Sequence, residues 1–352
     1  MEIMIRGDPD IGALRVLFAE CSRFRQLTLD VQNVSWWGDI PMEGFTQLSH
    51  LSVNTWTDPG VLVEEDELSA IFLSAPRLRS VDWQSTADPG LVGVHGHQLR
   101  SLDLSAFRVP ITRVLEVLAG CPNLRDAAIC FEVQDDNVPM PLRERILLPE
   151  LRSLWLHGTR HLACLLESVQ APLLSRLAIR WARFNGQVCS LEALESFLVY
   201  SPHLKDITLD EFLRTEDALI SIITNNKNLL RLNVSARPGQ RKLTTRRTFE
   251  FLTHQEHGKY ALPQLEDLAF QGGLAVPDKV VLRMIESWMS PLGVVEYGSC
   301  SRRACTLKSF RMDDCKSMAV KAISRLEAIC KESGLKAGGT FASRNYLREY
   351  IF

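Results

Sequence analysis

No run in this chain of 352 residues approaches the roughly 20 consecutive apolar residues that a membrane-spanning helix needs. The opening segment "MEIMIRGDPDIGALRVLF" is broken by Asp8, Pro9 and Asp10, so it lacks the continuous apolar stretch of a secretory signal. An excess of one charge is missing too. The chain has 40 Lys and Arg against 42 Asp and Glu, a net charge of -2, and no overall basic field that would hold a nucleic acid. Cysteine pairs are scarce: nine cysteines lie scattered singly, apart from Cys300 and Cys305. That usage fits reduced thiols in the cytosol or nucleus rather than a disulfide framework. There is no Gly-rich Walker loop, no Gly-x-Ser-x-Gly elbow and no low-complexity tract.

Other candidate chemistry falls short of a site. His254 and His257 are three apart, but a zinc protease needs His-Glu-x-x-His and a third ligand. Cys300 and Cys305 are too widely spaced for a Cys-x-x-Cys pair. Asp135–Asn137 offers too few oxygens at set spacing for calcium, and Glu64–Glu67 suits the first turn of a helix. The expectation is a protein that is not an enzyme and carries neither metal nor cofactor.

What is present is a pattern that recurs. With 46% apolar and 23% charged residues the chain can bury a large core, and its apolar residues fall in phased clusters of the form apolar-x-x-apolar-x-apolar. These are Phe24/Leu27/Leu29, Leu48/Leu51/Val53, Leu78/Val81/Trp83, Leu99/Leu102/Leu104, Leu124/Ala127/Ile129 and Leu151/Leu154/Leu156. The series continues through Leu174/Leu177/Ile179, Leu204/Ile207/Leu209 and Leu229/Leu232/Val234 to Leu265/Leu268/Phe270 and Leu307/Phe310/Met312. As far as Leu229 the first positions are 24, 30, 21, 25, 27, 23, 30 and 25 residues apart; the last two gaps are 36 and 42. Pro76, Pro122, Pro149, Pro172, Pro202 and Pro263 each stand two residues before a first leucine. Proline cannot continue a helix and pushes the preceding residue towards extended backbone, so each marks the stop between a helix and the next strand.

The segments upstream have helical spacing. "ITRVLEVLAG" places Val114, Leu115 and Leu118 on one face with Gly120 as a C-terminal stop, and "SLEALESFLVY" has Ser190 as candidate N-cap. "TEDALISIITNN" is capped by Thr215, and "KSMAVKAISRLEAIC" carries a stripe from Ala319 to Cys330 that ends at "ESGLKAGG". Each repeat is therefore a short strand, a loop and a helix. Within "LRSLDLS", Leu102 and Leu104 alternate with Ser101, Asp103 and Ser105, so one strand face is buried and the other is wet. A closed (β/α)₈ barrel shares the alternation, but its strands are buried on both faces and read as continuous apolar runs.

These residues resemble the leucine-rich-repeat family over about Phe24 to Met312. The x-Pro-x-Leu-x-x-Leu-x-Leu form, as in "CPNL" and "SPHL", looks most like the repeat region of fungal F-box/leucine-rich-repeat proteins. The resemblance implies an α/β solenoid, a curved horseshoe with a parallel sheet on its concave face and helices on its convex face. It also implies a substrate receptor of a cullin–RING ubiquitin ligase, in which an F-box binds a Skp-type adaptor and the repeats hold a protein substrate. The alternative is a repeat scaffold or inhibitor with no ubiquitin link. Two departures matter. Many members carry Asn or Cys three residues after the last apolar strand position, and here only Cys315 matches; no F-box is found in the sequence. Skp adaptor and cullin are thus expected only with an F-box outside this sequence.

One leucine-rich-repeat domain is expected over 1–352. It divides into regular repeats over 1–235, a basic insertion and helix over 236–262, and irregular terminal repeats with a C-terminal cap over 263–352. The insertion holds Arg237, Arg241, Lys242, Arg246 and Arg247. Strand alternation assigns the open positions, and the candidate protein-binding residues among them are Asp103, Trp155, His157, Arg176, Arg180, Asp206, Asp210 and Arg231. Trp155 is singled out because Leu154 and Leu156 point inwards, leaving the indole towards solvent, and Trp with Arg is the composition of a binding hot spot. No nucleic-acid or membrane partner is expected.

Overall fold

The computed structural model describes residues 1–7, 10–31, 44–55, 74–84, 96–132, 144–158, 161–181, 191–236, 243–253, 261–272, 274–289, 307–313, 315–316, 318–343 and 346–351. The backbone packs into two compact units, Met1–Leu174 with Ala182–Pro202, and Ser175–Trp181 with His203–Phe352.

In the first unit β1 (Glu2–Arg6), β2 (Gln26–Val31), β3 (His50–Thr55), β4 (Ser80–Gln84), β5 (Ser101–Pro110) and β6 (Asp126–Glu132) pair side by side in chain order. All are parallel. The short β7 (Ile146–Leu147) steps out of this sheet, so β8 (Ser153–Gly158) lies beside β6, and β7 pairs instead with β9 (Val169–Gln170). The helices are α1 (Ile11–Phe18), α2 (Ile111–Gly120), α3 (Leu162–Ser168) and α4 (Leu191–Val199).

In the second unit β10 (Arg176–Trp181), β11 (Asp206–Asp210), β12 (Arg231–Ser235), β14 (Asp267–Gln271), β16 (Ser309–Asp313) and β18 (Lys336–Ser343) form the parallel series. The short strands β13 (Thr244–Thr245) and β15 (Leu274–Ala275) pair with each other. β17 (Cys315–Lys316) runs parallel to β18, and β19 (Tyr346–Ile351) runs antiparallel to it. The helices are α5 (Glu216–Asn225), α6 (Arg246–Leu252), α7 (Asp278–Met289) and α8 (Val320–Ser333). Among the described residues the first and last strands of each series do not pair, so neither unit is a closed barrel. One parallel strand per repeat, with helices in the connections, makes this an α/β leucine-rich-repeat solenoid.

The leucine phasing has a direct physical counterpart. Leu27, Leu51, Val81, Leu102, Ala127 and Leu154 stand opposite one another on successive strands. Leu177, Ile207, Leu232, Leu268 and Phe310 do the same in the second unit. Every strand position that the pattern marked as apolar is buried, and so is the lead residue of each cluster, from Phe24 to Leu307. The prolines act just ahead of these leads. The N–H of Leu78 donates to the Ala75 carbonyl (3.0 Å), Leu124 to Cys121 (3.2 Å), Leu151 to Leu148 (3.3 Å) and Leu174 to Ala171 (3.1 Å). Each of these four prolines is therefore the second residue of a reverse turn, a place its fixed φ favours.

The helices follow their sequence signals with one correction. Thr215 caps α5 by accepting from the Ala218 N–H (3.3 Å), and Gly334 ends α8 with φ 72°. Gly120, expected to stop α2, is instead its last helical residue. The chain leaves the helix at Cys121 (φ -121°), because Pro122 denies helical geometry to the residue before it. Ser190, Glu64–Glu67 and Asp135–Asn137 lie outside the described residues, as do His254, His257, Cys300, Cys305, Arg237, Arg241 and Lys242.

Within the two parallel series, β1 and β18 carry no leucine signature. β1, "EIMIR", lies in register with β2, and β18, "KAGGTFAS", adds a rung after β16. At the far end of β8 the inner-face position is Gly158, paired with Phe131 of β6. A Cβ at this glycine would collide with the buried Phe131 ring. Gly158→Ala is therefore expected to destabilise by about 1–3 kcal/mol through overpacking, read as a lower denaturation midpoint. Combining it with Phe131→Leu should recover part of the loss.

Candidate functional site

The face of each sheet opposite the buried one carries the polar side chains. In the first unit this face is laced by hydrogen bonds within and between neighbouring strands. Asn54 Nδ2 donates to Asp30 Oδ1 (2.9 Å), and Ser52 Oγ donates to Asp82 Oδ2 (3.2 Å). Gln84 Nε2 donates to Asp82 Oδ1 (2.9 Å) and to Ser105 Oγ (3.4 Å). The predicted Asp103 sits here, half-buried, with Oδ1 accepting from the Ser105 N–H (2.8 Å).

Trp155 and His157 occupy the same face on β8 with their rings edge to face, 5.8 Å between centroids. The indole is half-buried rather than standing free in solvent. Opposite His157 on β6 is Cys130, whose Sγ is 3.8 Å from the imidazole Nδ1. Cys130 was not among the expected face residues, although its alternation with Asp126 and Ala128 would have placed it there.

In the second unit the predicted residues form a lattice of alternating charge. The strand register aligns Arg176, Asp206, Arg231 and Asp267 across β10, β11, β12 and β14. Arg231 donates through Nε to Asp267 Oδ2 (3.0 Å) and through Nη1 to Asp206 Oδ2 (3.4 Å). The hydrogen bond from Asp267, helped by the charges of Asp206 and Asp267, raises the pKa of the guanidinium. Further along the same strands, Arg180 Nε lies 3.3 Å from Asp210 Oδ2. Of the residues expected to greet a partner, Arg180, Asp206, Asp210 and Arg231 thus engage one another, and Asp267, which is not among those expected, joins them. The arginine side chains stay more than half exposed, so these pairs add little stability and remain open to a partner's charges.

The thiols elsewhere serve packing. Burial pushes the Cys121 pKa up to about 12 and also raises those of Cys21, Cys164 and Cys330, which keeps all four protonated at neutral pH. The two described arginines of the basic insertion are also engaged: Arg246 Nε meets Glu250 Oε1 at 2.6 Å, and Arg247 pairs with Asp217. Among the described residues no helix is long and apolar enough to cross a membrane.

No family model matches the chain, and no curated protein matches it. Solved structures similar to it include a Bacteroides fragilis protein, 12% identical, covering 68% of this chain and 64% of that one with a TM-score of 0.42. Another is the TLR13 chain of a TLR13–ssRNA13 complex, also 12% identical, covering 95% of this chain and 47% of that one with a TM-score of 0.39. The chain spans less than two thirds of the length of either, and likeness at this level bears on no functional question.

Proposed function

We propose that the chain is a non-enzymatic protein-binding repeat domain that holds a partner protein on the open, polar face of its strands. The observation that carries this reading is Trp155, a half-exposed indole set edge-on to His157 on a face whose reverse side is sealed in the core. Such an aromatic offers a large contact area at small entropic cost to a partner that covers it. Affinity capture with tagged full-length chain, followed by mass spectrometry, tests the idea. Trp155→Ala should weaken a captured partner's binding by about 2 kcal/mol or more, roughly thirtyfold, with an unchanged melting temperature. A partner that binds the variant as tightly as the parent would remove this face from the account.

More narrowly, the proposed partner is a substrate, and the chain is the substrate-recognition part of an F-box type subunit of a cullin–RING ubiquitin ligase. The support is the proline that precedes six of the eleven lead residues, the form that resembles the fungal F-box/leucine-rich-repeat group. This role requires an F-box beyond these residues. Skp-type adaptor and cullin should co-purify with the native protein; their absence would leave an interaction scaffold or inhibitor. A reducing compartment, cytosol or nucleus, agrees with the buried free thiols of Cys21, Cys121, Cys130, Cys164 and Cys330.

A further inference from the structure

The residue after the lead leucine stands at the N-terminal rim of each strand. In the first unit it is arginine on four consecutive rungs, Arg79, Arg100, Arg125 and Arg152, within "LRS", "LRS", "LRD" and "LRS". Their backbones are hydrogen-bonded in series. The Arg100 N–H donates to the Arg79 carbonyl (2.8 Å), Arg125 to Arg100 (2.7 Å) and Arg152 to Arg125 (2.7 Å). Neighbouring rungs lie about 4.8 Å apart, so like charges are stacked at the closest spacing a sheet allows, an arrangement that costs stability.

A cleft of about 390 Å³ opens over this rim, lined by Arg77, Arg79, Arg100 and Arg125 together with Asn123 and Glu150. Four arginines face one carboxylate. Glu150 reaches Arg125 at 3.6 Å, and Arg77 donates to the neutral Gln47 (2.6 Å). Among the described residues, no carboxylate pairs with Arg79 or Arg100. The same repeat position in the second unit is built differently. It carries Ser175, Lys205, Leu230, Glu266 and Lys308 in succession, and Lys308 Nζ meets Glu266 Oε1 at 2.8 Å. Among the described residues, stacked guanidinium groups without a carboxylate partner are thus found at the rim around Arg79 and Arg100.

We propose that this rim cleft binds a phosphomonoester dianion, gripped by the guanidinium forks of Arg79 and Arg100 with Arg77 and Arg125 beside them. A phosphomonoester offers close to two negative charges and three acceptor oxygens, which match planar donor forks on adjacent rungs. A nucleic-acid strand fits less well. From Arg79 to Arg125 is two rungs, about 10 Å, room for one phosphoryl group rather than a run of phosphodiesters. Among the described residues His97 is the one aromatic ring lining the cleft, and no Trp, Tyr or Phe builds a stacking platform for bases. The group belongs either to a phosphorylated side chain of a protein or to a free phosphorylated molecule. The site does not depend on the open-face reading: a Trp155 variant that changes nothing would leave it intact.

The test is calorimetric titration and thermal shift of the full chain at low ionic strength. The probes are inorganic phosphate, a short phosphoserine peptide, the same peptide unphosphorylated, and a single-stranded oligonucleotide. The phosphopeptide should bind at least about tenfold tighter than its unphosphorylated twin and raise the melting temperature. The double variant Arg79→Gln/Arg100→Gln should lose that binding while melting no lower than the parent, since it relieves repulsion; Arg283→Gln, on a helix of the second unit, should bind as the parent does. Inorganic phosphate that binds as tightly as the phosphopeptide would assign the cleft to free phosphorylated molecules, with the same recognition chemistry. Equal binding of the two peptides, full binding by the double variant, or an oligonucleotide that outcompetes the phosphopeptide would overturn the proposal.

Discussion

Leu102→Ala is expected to cost about 2–5 kcal/mol, while its neighbour Asp103→Ala should cost less than about 1 kcal/mol. Leu102 is 1% exposed and stands between Val81 and Ala127 of the adjoining strands. Truncation removes its transfer free energy and leaves a cavity that two rigid neighbouring rungs cannot collapse. Asp103, one residue on, points to the opposite face, where its carboxylate accepts a local bond from the Ser105 N–H. Its removal leaves a half-buried donor within reach of water. Denaturant midpoints of the two variants, read with unchanged slopes, check the contrast. Comparable small effects at both positions would mean that β5 is not oriented as described.

The second large effect is expected at Glu216. This residue lies in the first turn of α5, yet its carboxylate caps the next helix, α6. Oε1 accepts from the N–H groups of Thr245 and Thr248 (both 2.9 Å), and the hydroxyls of the same two threonines donate to the carboxylate as well. Thr245 is the N-cap of α6 and Thr248 lies within its first turn. One carboxylate therefore satisfies two of the orphan N–H groups that every helix start exposes. Thr248 is 0% exposed, so Glu216→Ala would strand its donors away from water. A loss of about 2–4 kcal/mol is expected, and Glu216→Gln should recover part of it by keeping one acceptor.

The same group carries a pH dependence. Burial would raise the Glu216 pKa, but the hydrogen bonds from Thr248 and Thr245 outweigh it and hold the carboxyl below its ordinary value. A depressed folded-state pKa means that the unfolded chain binds the proton more readily. The stabilisation is complete above the ordinary carboxylate range and is lost as pH falls through the folded-state value. Stability curves measured from neutral to acid pH should fall less steeply for Glu216→Gln than for the parent. Parallel curves would deny the carboxylate this role.

The rungs were legible wherever a lead leucine and its two followers were present, because burial of one strand face demands apolar residues at fixed steps. β1 was not, since Glu2–Arg6 offers Ile3 and Ile5 with no lead leucine ahead of them. β18 was not, since Ala337, Gly338 and Gly339 give no apolar alternation strong enough to mark a strand. The open-face residues could be placed singly but not paired. That Arg231 lies between Asp206 and Asp267 follows from all three preceding the same apolar position in their repeats, which becomes informative only once the strands are known to be in register. The arginine column stands in "LRS" and "LRD", but each arginine alone is indistinguishable from a solvated surface residue until the strands are stacked. The link from Glu216 to Thr245 and Thr248 had no sequence signal: it joins groups about thirty residues apart through the packing of two helices.

The lengths of the connections bear on how this chain can change over evolution. Connections between successive lead residues vary from 21 to 42 residues, yet each described strand arrives in the same register. Register is thus insensitive to the length of the excursion before the strand. Doubling such an excursion costs only about 0.6 kcal/mol in closure entropy. New segments can accordingly be spliced into the connections at little thermodynamic expense, and the scaffold can acquire fresh contacts there while its ladder stays unaltered.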